Sequence, residues 1–414
     1  METHAITELV TLRRDLHRNP EPRFQEHRTS SVLRDRLLAL GFDVGDSLAG
    51  TGLVGTFGNG TSAEVHVVLR ADMDALPTDD LKTVDYASAN AGVAHACGHD
   101  VHCAVVLGAA KLLVEGGLVP ESGRLTVLYQ PAEEIPFGES SGAQTMLDAG
   151  LFADGDPDAV LAVHCWPQLP AGTIGLDVET AMAAKLAFRV SVHGKGAHAA
   201  TPHLGADALL GASQMVVSLH TLLGRDVEPG ERVALNVGTL AGGTSQSIVS
   251  ASAEFSGTLR TVSDAVASRL RKSVERVIAG TASTHGLSAS IDWKNEMPAV
   301  HNDGRLVALA KRSLVACEDV QDVVMIEQPP MTSDDFALYA KRWPGLYMKL
   351  GVASSESPQW PSLHDGRFDV DEQCIATGAQ ALARVTSTLF DQGPAQEDEH
   401  QRGRNLRFRT GGVR

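Results

Sequence analysis

The sequence has few cysteines: five in 414 residues, an odd number scattered along the chain. Small secreted scaffolds that depend on disulfides carry a dense, paired set of cysteines, so that class is excluded. Scattered thiols are typical of a reducing compartment. We therefore expect a cytoplasmic protein without structural disulfides.

Positive charge is also scarce, because 35 lysine and arginine residues stand against 51 aspartate and glutamate residues and leave a formal net charge of −16. A field of this sign repels phosphate backbones and anionic lipid surfaces. We expect neither a nucleic acid nor a membrane surface as a partner.

Long apolar runs are missing too, since no stretch approaches the roughly 18 residues that a membrane-spanning helix needs. The first residues lack the basic and then apolar segments of a secretory signal. Hydrophobic residues nevertheless make up 43% of the chain. This content excludes whole-chain disorder, and the length allows two domains.

The hydrophobic pattern of the amino-terminal half predicts helices that alternate with short buried strands. Apolar residues recur at near-helical spacing over 6–16 and 32–40, and again over 101–114. Short runs rich in valine and leucine cover 65–69, 125–129 and 159–163. This alternation is typical of an α/β fold around a largely parallel sheet.

The pattern changes near Lys185 to alternating strands and amphipathic helices in the order strand, helix, strand, strand, helix, strand. This order predicts a ferredoxin-like α+β domain over 184–295, inserted into a discontinuous α/β domain formed by 1–183 and 296–391. The tail over 392–414 has no apolar period and is predicted to be disordered.

Residues that bind metals or move protons follow the predicted strands of the first domain. Asp72 follows the run 65–69, Glu133 and Glu134 follow 125–129, and His164 follows 159–163. Ligands of open α/β sheets bind beyond the carboxyl ends of the strands, where the loops converge. These side chains are therefore expected to meet at one edge of the sheet.

A further cluster contains Cys97 and His99, separated by a glycine that lets the backbone turn before an apolar helix. Thiolate, imidazole and carboxylate together favour a borderline-soft divalent ion such as Zn, Mn, Co or Ni, and a cysteine sulfur can bridge two ions. Each signal alone has another interpretation: Cys97 as a packed thiol, the glutamates as a solvated pair, Asp72 as a helix cap. Their coincidence at strand ends favours the metal site.

Neighbouring side chains of an extended segment point to opposite sides, so the two glutamates can divide their roles. We assign Glu134 as a metal ligand and Glu133 as the general base that activates a metal-bound water, whose pKa the metal lowers to about 7. Hydrolysis of an amide bond is the reaction that this arrangement predicts.

Seven motifs occur in an order that resembles the aminoacylase and carboxypeptidase family of dinuclear metallopeptidases. The nearest branch contains amidohydrolases such as hippurate hydrolase and the auxin-conjugate hydrolases. The motifs are RADMDALP (70–77), HACGHD (95–100), QPAEE (130–134), GKGAH (194–198), GTLR (257–260), TSDDF (332–336) and LH (363–364).

The resemblance implies a zinc-exopeptidase-like catalytic domain with two divalent ions per chain, whether Mn, Zn, Co or Ni. It also implies that Asp72 orients a metal-bound imidazole and that Glu133 is the base. The implied metal ligands are Cys97, His99, Glu134, His164 and His364.

The same resemblance implies that the inserted domain is a lid and forms a homodimer. His198 would then polarise the scissile carbonyl, either within its own chain or across a dimer interface. Arg260 would bind the free carboxylate of the substrate. Relatives usually carry asparagine where this chain has Ser247. The substrate contact of that loop is therefore expected to differ.

The function predicted from these residues is hydrolysis of an N-acyl amino acid, a small-molecule substrate, to a carboxylic acid and a free amino acid. Two alternatives remain open. One is a dipeptidase or carboxypeptidase with the same dinuclear centre. The other is a family member that binds its ligand without turnover.

Overall fold

The structure of the chain is a computed structural model, which describes residues 3–58, 63–354 and 360–393. Its strands are β1 (Asp43–Val44), β2 (Leu53–Gly58), β3 (Val65–Asp72), β4 (Gly123–Gln130), β5 (Ala159–Pro170), β6 (Thr173–Asp177), β7 (Thr180–Met182), β8 (Ala184–His193), β9 (Ala197–His198), β10 (Val233–Gly242), β11 (Ile248–Val249), β12 (Ser252–Thr261), β13 (Ser288–Met297), β14 (Val300–His301), β15 (Asp322–Ile326) and β16 (Gly345–Ala353). Its helices are α1 (Thr3–Arg18), α2 (His27–Ala39), α3 (His99–Glu115), α4 (Gly142–Asp148), α5 (Ala208–Asp226), α6 (Asp264–Thr284), α7 (Gly304–Val315), α8 (Ala337–Ala340) and α9 (Gln373–Gln392).

Eight strands form the large sheet in the order β1-β2-β4-β3-β5-β16-β6-β15. The pairs at its centre, β4 with β3, β3 with β5 and β5 with β16, are parallel. Antiparallel pairs lie towards the edges, at β1/β2, β2/β4 and β16/β6. The predicted α/β fold with a mostly parallel sheet is confirmed at this level.

The large sheet is covered on both faces, which is why its central strands are apolar without alternation. Val67 and Leu69 of β3 join a core that also contains Leu9 of α1 and Val105 of α3, whereas Val68 joins the core on the opposite face. Successive side chains of a strand point to opposite faces, so both faces of β3 are buried. This rigid layer holds the loops at its carboxyl edge.

A second, four-stranded antiparallel sheet has the order β10-β12-β8-β13. Leu186, Phe188 and Val190 of β8 are buried in a core formed with α5 and α6, while Lys185 and Arg189 occupy the alternate positions. Because the two helices cover one face only, the alternate face is free to present polar side chains.

The structure contains strands of the large sheet that the sequence pattern does not predict. Strands β6 and β15 have five residues each and lie at or next to the edge of the sheet. Strand β5 continues to Pro170, past the predicted end at residue 163, because its carboxyl half pairs with β16. The predicted disordered tail lies outside the described residues, apart from Gln392, which ends α9, and Gly393.

Within the described ranges, no helix combines the length and apolarity needed to cross a membrane. All five cysteines are free thiols.

Candidate metal centre and active site

The carboxyl ends of the central strands open into a cavity of about 300 Å³. Asp72 is the last residue of β3, the two glutamates follow β4, and His164 lies within β5. The predicted site residues that line the cavity are Cys97, Glu133, Glu134, His164, Arg260 and His364. Parallel strands thus bring together side chains that are distant in sequence.

Two overlapping groups of side chains have the composition of a dinuclear metal site. Ligand atoms of Cys97, His99 and His164 lie within 4.8 Å of one another, and so do those of Cys97, Glu134 and His364. The shared member is Cys97, whose sulfur lies 3.6 Å from Nε2 of His164. Nitrogen, oxygen and sulfur donors around one shared thiol fit two borderline-soft divalent ions.

Backbone carbonyls orient two of the imidazoles towards this space. Nδ1 of His99 donates to the carbonyl oxygen of Asp74 at 2.8 Å, and Nδ1 of His164 donates to that of Cys165 at 2.9 Å. These bonds favour the tautomer in which Nε2 carries the lone pair. Nε2 of His99 is buried and has no hydrogen-bond partner among the described residues. A bound cation would satisfy this atom.

Gly98 allows the side chains on either side of it to share one centre. It precedes α3 in the left-handed region, with φ of +84°. A Cβ atom there would lie 2.6 Å from Sγ of Cys165. Glycine is therefore required both by the backbone conformation and by the packing.

Two residues of the site have a backbone conformation that residues other than glycine seldom adopt. Ala132, immediately before Glu133, has φ of +49°, and His364 has φ of +69°. The amide of His364 donates to the carbonyl of Ala96 at 2.8 Å, and Nε2 of His364 lies 2.8 Å from Oε1 of Glu134. Strained backbone of this kind is held in place by the surrounding structure and occurs most often at functional sites.

Asp74 holds the glutamates in position, a role that the sequence analysis does not assign to it. Its two carboxylate oxygens accept hydrogen bonds from the backbone amides of Glu133 and Glu134 at 3.0 and 2.9 Å. Its place in the first motif, two residues after Asp72, is the signal that could have identified it. The side chain is buried, as its supporting role requires.

Glu26 also supports this segment, and no motif points to it. One carboxylate oxygen accepts from the amide of Ala132 at 2.9 Å and the other from the hydroxyl of Thr51 at 2.6 Å. Burial, with a further contribution from Asp74, raises the pKa of Glu26 from 4.5 to about 7. Near neutral pH this carboxyl group is therefore only partly ionised.

Asp72 makes its shortest contacts with Arg70 and His102, each at 2.6 Å, whereas Nε2 of His99 lies 3.8 Å away. Nε2 of His102 in turn accepts from the amide of Cys165 at 2.9 Å. The carboxylate is thus linked through His102 to the backbone next to His164.

Acidic side chains concentrate on one wall of the cavity. Carboxylate oxygens of Glu133, Asp334 and Asp335 lie within 4.8 Å of one another. Burial and the neighbouring carboxylates raise the pKa of Glu133 well above its ordinary value, and that of Asp335 to about 6. Bound cations would reverse this effect on Glu133 and keep it ionised.

Two predicted site residues are not brought to the cavity within one chain. His198 and Ser247 are exposed on the short β9/β11 ladder, where the amide of Ala199 donates to the carbonyl of Ser247 at 2.9 Å. Arg260, by contrast, lines the cavity, and one of its terminal nitrogens donates to the carbonyl of Met331 at 2.9 Å.

Comparison with known proteins adds independent information on this arrangement. Residues 68–388 match the model of peptidase family M20/M25/M40. The chain is 33% identical to the N-acetyl-L-cysteine deacetylase of Bacillus subtilis over 93% of this chain and 88% of that protein. It is also 33% identical to the N-acetyldiaminopimelate deacetylase of Bacillus subtilis over 91% of this chain and 97% of that protein.

Among solved structures, the Bacillus subtilis YxeP protein, described as a dinuclear metal binding peptidase of the M20 family, superimposes with a TM-score of 0.79 at 28% identity. The match covers 94% of this chain and 99% of the other. Sequence motifs, fold and family match agree. The chain belongs to peptidase family M20/M25/M40 and is an enzyme of its amidohydrolase branch.

Proposed function

We propose that the protein hydrolyses the amide bond of N-acyl amino acids and releases a carboxylic acid and a free amino acid. The observation that carries this proposal is the arrangement around Cys97: two ligand groups share it, and Glu133 and Arg260 line the same cavity. The named activities of the two deacetylases support the same reaction class.

The proposed metal site holds two divalent ions. The ligands that we assign are Cys97, His99, Glu134, His164 and His364. When bound, such ions lower the pKa of water and polarise the amide carbonyl. The donor set is compatible with Mn, Zn, Co or Ni.

Glu133 is the proposed base because its carboxylate reaches the cavity while Asp74 holds its backbone amide at 3.0 Å. It accepts a proton from the attacking water and passes it to the leaving amine nitrogen. The water oxygen joins the acyl carbon as the carbon–nitrogen bond breaks, so one water molecule is consumed per amide.

Arg260 is the proposed partner of the substrate carboxylate, since its guanidinium projects into the cavity and forms no ion pair within the described part of the chain. A forked guanidinium can hold a carboxylate through two parallel hydrogen bonds.

We further propose that residues 184–295 form an inserted lid domain through which two chains associate. Leu210 and Val217 of α5 are each 57% exposed, and Leu240 of β10 is 44% exposed. Residues seven apart lie on one face of a helix. An apolar face of this kind, continued by an edge strand, supports a homodimer in which His198 and Ser247 of one chain reach the cavity of the other.

The test is release of free amino acid from N-acetyl, N-benzoyl and longer N-acyl amino acids, with dipeptides alongside, by protein loaded with each candidate metal. We expect metal-dependent turnover of the N-acyl compounds. Turnover confined to dipeptides would instead identify a dipeptidase.

Replacing Glu133 with alanine tests its role. The Glu133→Ala variant is expected to keep its two metal ions, measured by elemental analysis, and to lose about 10²- to 10⁴-fold in kcat, because the water then has no proton acceptor. Glu121→Ala, at an exposed turn away from the cavity, is the matched control. Near-normal kcat in Glu133→Ala would disprove the assignment.

A further inference from the structure

Two cationic side chains lie next to each other on the open face of the second sheet. Lys185 of β8 and Arg260 of β12 are directly paired across the two strands, and both line the main cavity. Cβ atoms of such opposite residues are about 4.5–5.5 Å apart and lie on the same face of the sheet. The two positive charges therefore face the same space.

Lys185 has no carboxylate within ion-pair distance in the described ranges, although four acidic residues line the same cavity. Burial and the charge of Arg260 lower the pKa of Lys185 against the opposing effect of Glu133 and Glu134. The side chain is half-buried and cannot be solvated as a surface lysine is. A half-buried ammonium group with no carboxylate in direct contact would be stabilised by a ligand carboxylate at hydrogen-bond distance.

A second cavity, of about 290 Å³, adjoins the first, because Lys185 and Asn295 line both. Its other polar walls come from Arg189, Asn236 and Thr258, and none of its lining residues is acidic. Arg189 is already near a carboxylate, at 3.7 Å from Glu254. Lys185, at the junction of the two cavities, is thus a cation that no carboxylate of the described residues contacts directly.

The two cations differ in the cavities that they line. Arg260 lines the first cavity only, whereas Lys185 reaches the second. Two carboxylates of one ligand could therefore each contact one of the two cations.

We propose that the protein prefers N-acyl amino acids whose side chain carries a second carboxylate, and that Lys185 binds this carboxylate. The inference rests on the proposed function, in which Arg260 binds the α-carboxylate. The side chain and the α-carboxylate of an amino acid are both bonded to the α-carbon. A side-chain carboxylate and the α-carboxylate can therefore reach neighbouring cations. The acyl group is bonded to the amide nitrogen instead, on the other side of the bond that is cleaved.

The test compares N-acetyl-L-glutamate with N-acetyl-L-glutamine, which has nearly the same shape but a neutral side chain. With metal-loaded protein, we expect kcat/KM to be at least about ten-fold higher for the glutamate compound, since a hydrogen bond to a charged group contributes on this scale. In Lys185→Met this ratio is expected to fall to near one. Lys185→Arg should retain a preference, because it keeps the charge.

The matched control is Lys294→Met, the same substitution at an exposed lysine of β13 that lines neither cavity. This variant is expected to keep the wild-type ratio. A wild-type ratio near one would overturn the proposal. So would an unchanged ratio in Lys185→Met with a lower kcat/KM for both compounds, because Lys185 would then share the α-carboxylate with Arg260.

A binding measurement separates this proposal from the proposed function. Titration calorimetry of the two compounds with the metal-loaded Glu133→Ala variant needs no turnover. Tighter binding of N-acetyl-L-glutamate, lost on adding Lys185→Met, would support the role of Lys185 even if the wild-type chain hydrolysed neither compound. Equal binding of the two compounds would refute it even if both were hydrolysed.

Discussion

The carboxyl groups near the cavity have different protonation behaviour because each has different partners. Asp72 lies against the guanidinium of Arg70, which holds its pKa well below the ordinary range against the opposing effect of burial. Glu26 has no cationic partner within the described ranges, and burial raises its pKa to about 7. One carboxylate is therefore permanently charged while the other titrates near neutrality.

The raised pKa of Glu26 makes stability depend on pH. The folded chain binds the Glu26 proton more tightly than the unfolded chain does. The contribution of this proton to the free energy of unfolding is therefore largest below the ordinary pKa of 4.5 and is lost as the pH rises through about 7. The maximal effect is about 3 kcal/mol. As the pH rises from 5 to 8, the free energy of unfolding should therefore fall less in Glu26→Gln than in the wild type.

Urea unfolding of both proteins at the two pH values measures this difference, with Glu121→Gln as the exposed control. Parallel pH profiles for the wild type and Glu26→Gln would show that Glu26 does not change its protonation on unfolding.

Individual residues of the candidate site differ in how well the sequence predicts them. Glu133 and His164 can be selected because they follow short apolar strands, and Cys97 because its motif precedes an apolar helix. His364 depends on the resemblance alone, since its spacing from the other motifs does not identify it as a ligand. Lys185 could not be selected from its pattern, because any polar residue satisfies an alternating strand, and only the pairing of β8 with β12 places it beside Arg260.

At the scale of elements, the start of α3 decides whether the thiol and imidazole of the metal site face one another. Gly98 occupies the position between them with φ of +84°. A Cβ atom there would meet Cys165 of β5. The helix start and the strand therefore fit together only through this glycine.

Gly98→Ala is expected to destabilise the fold by about 1–3 kcal/mol, the usual cost of a strained backbone position, and to lower metal occupancy. Thermal unfolding and elemental analysis measure the two effects. Gly280→Ala, in the carboxyl-terminal part of α6 with open space around it, is the control and should lower neither stability nor metal occupancy. Full metal occupancy in Gly98→Ala would mean that the site does not need this turn.

Elements with strong periodicity are the ones that the sequence predicts. The alternation in β8 and the apolar run of β3 are visible because one or both faces are buried along their full length. Strand β15 shows neither signal, since none of its five residues is fully buried. Its place in the sheet comes from parallel pairing with β6, which is backbone hydrogen bonding and leaves little trace in the sequence.

At the scale of the whole molecule, the exposed apolar face of α5 predicts association of two chains. Val217→Glu places a charge at this face and is expected to convert a dimer into a monomer, with a loss of at least ten-fold in kcat if His198 acts from the partner chain. Sedimentation velocity and turnover of an N-acyl amino acid measure both effects.

Val315→Glu is the matched control, because Val315 ends α7 beside the large sheet and is 73% exposed. It should leave both the oligomeric state and turnover unchanged. A wild-type monomer with full activity would remove the proposed roles of the partner chain.

The order of the large sheet also constrains how the chain can fold. Strand β16 lies between β5 and β6, although all of the second sheet is synthesised before it. While the chain emerges from the ribosome, one edge of β5 therefore stays unpaired until residues 345–353 have been synthesised. Late, long-range parallel pairing of this kind is slow and leaves an aggregation-prone strand edge exposed in the meantime. We therefore expect pairing of β5 with β16 to be a late and slow step in folding of the large sheet.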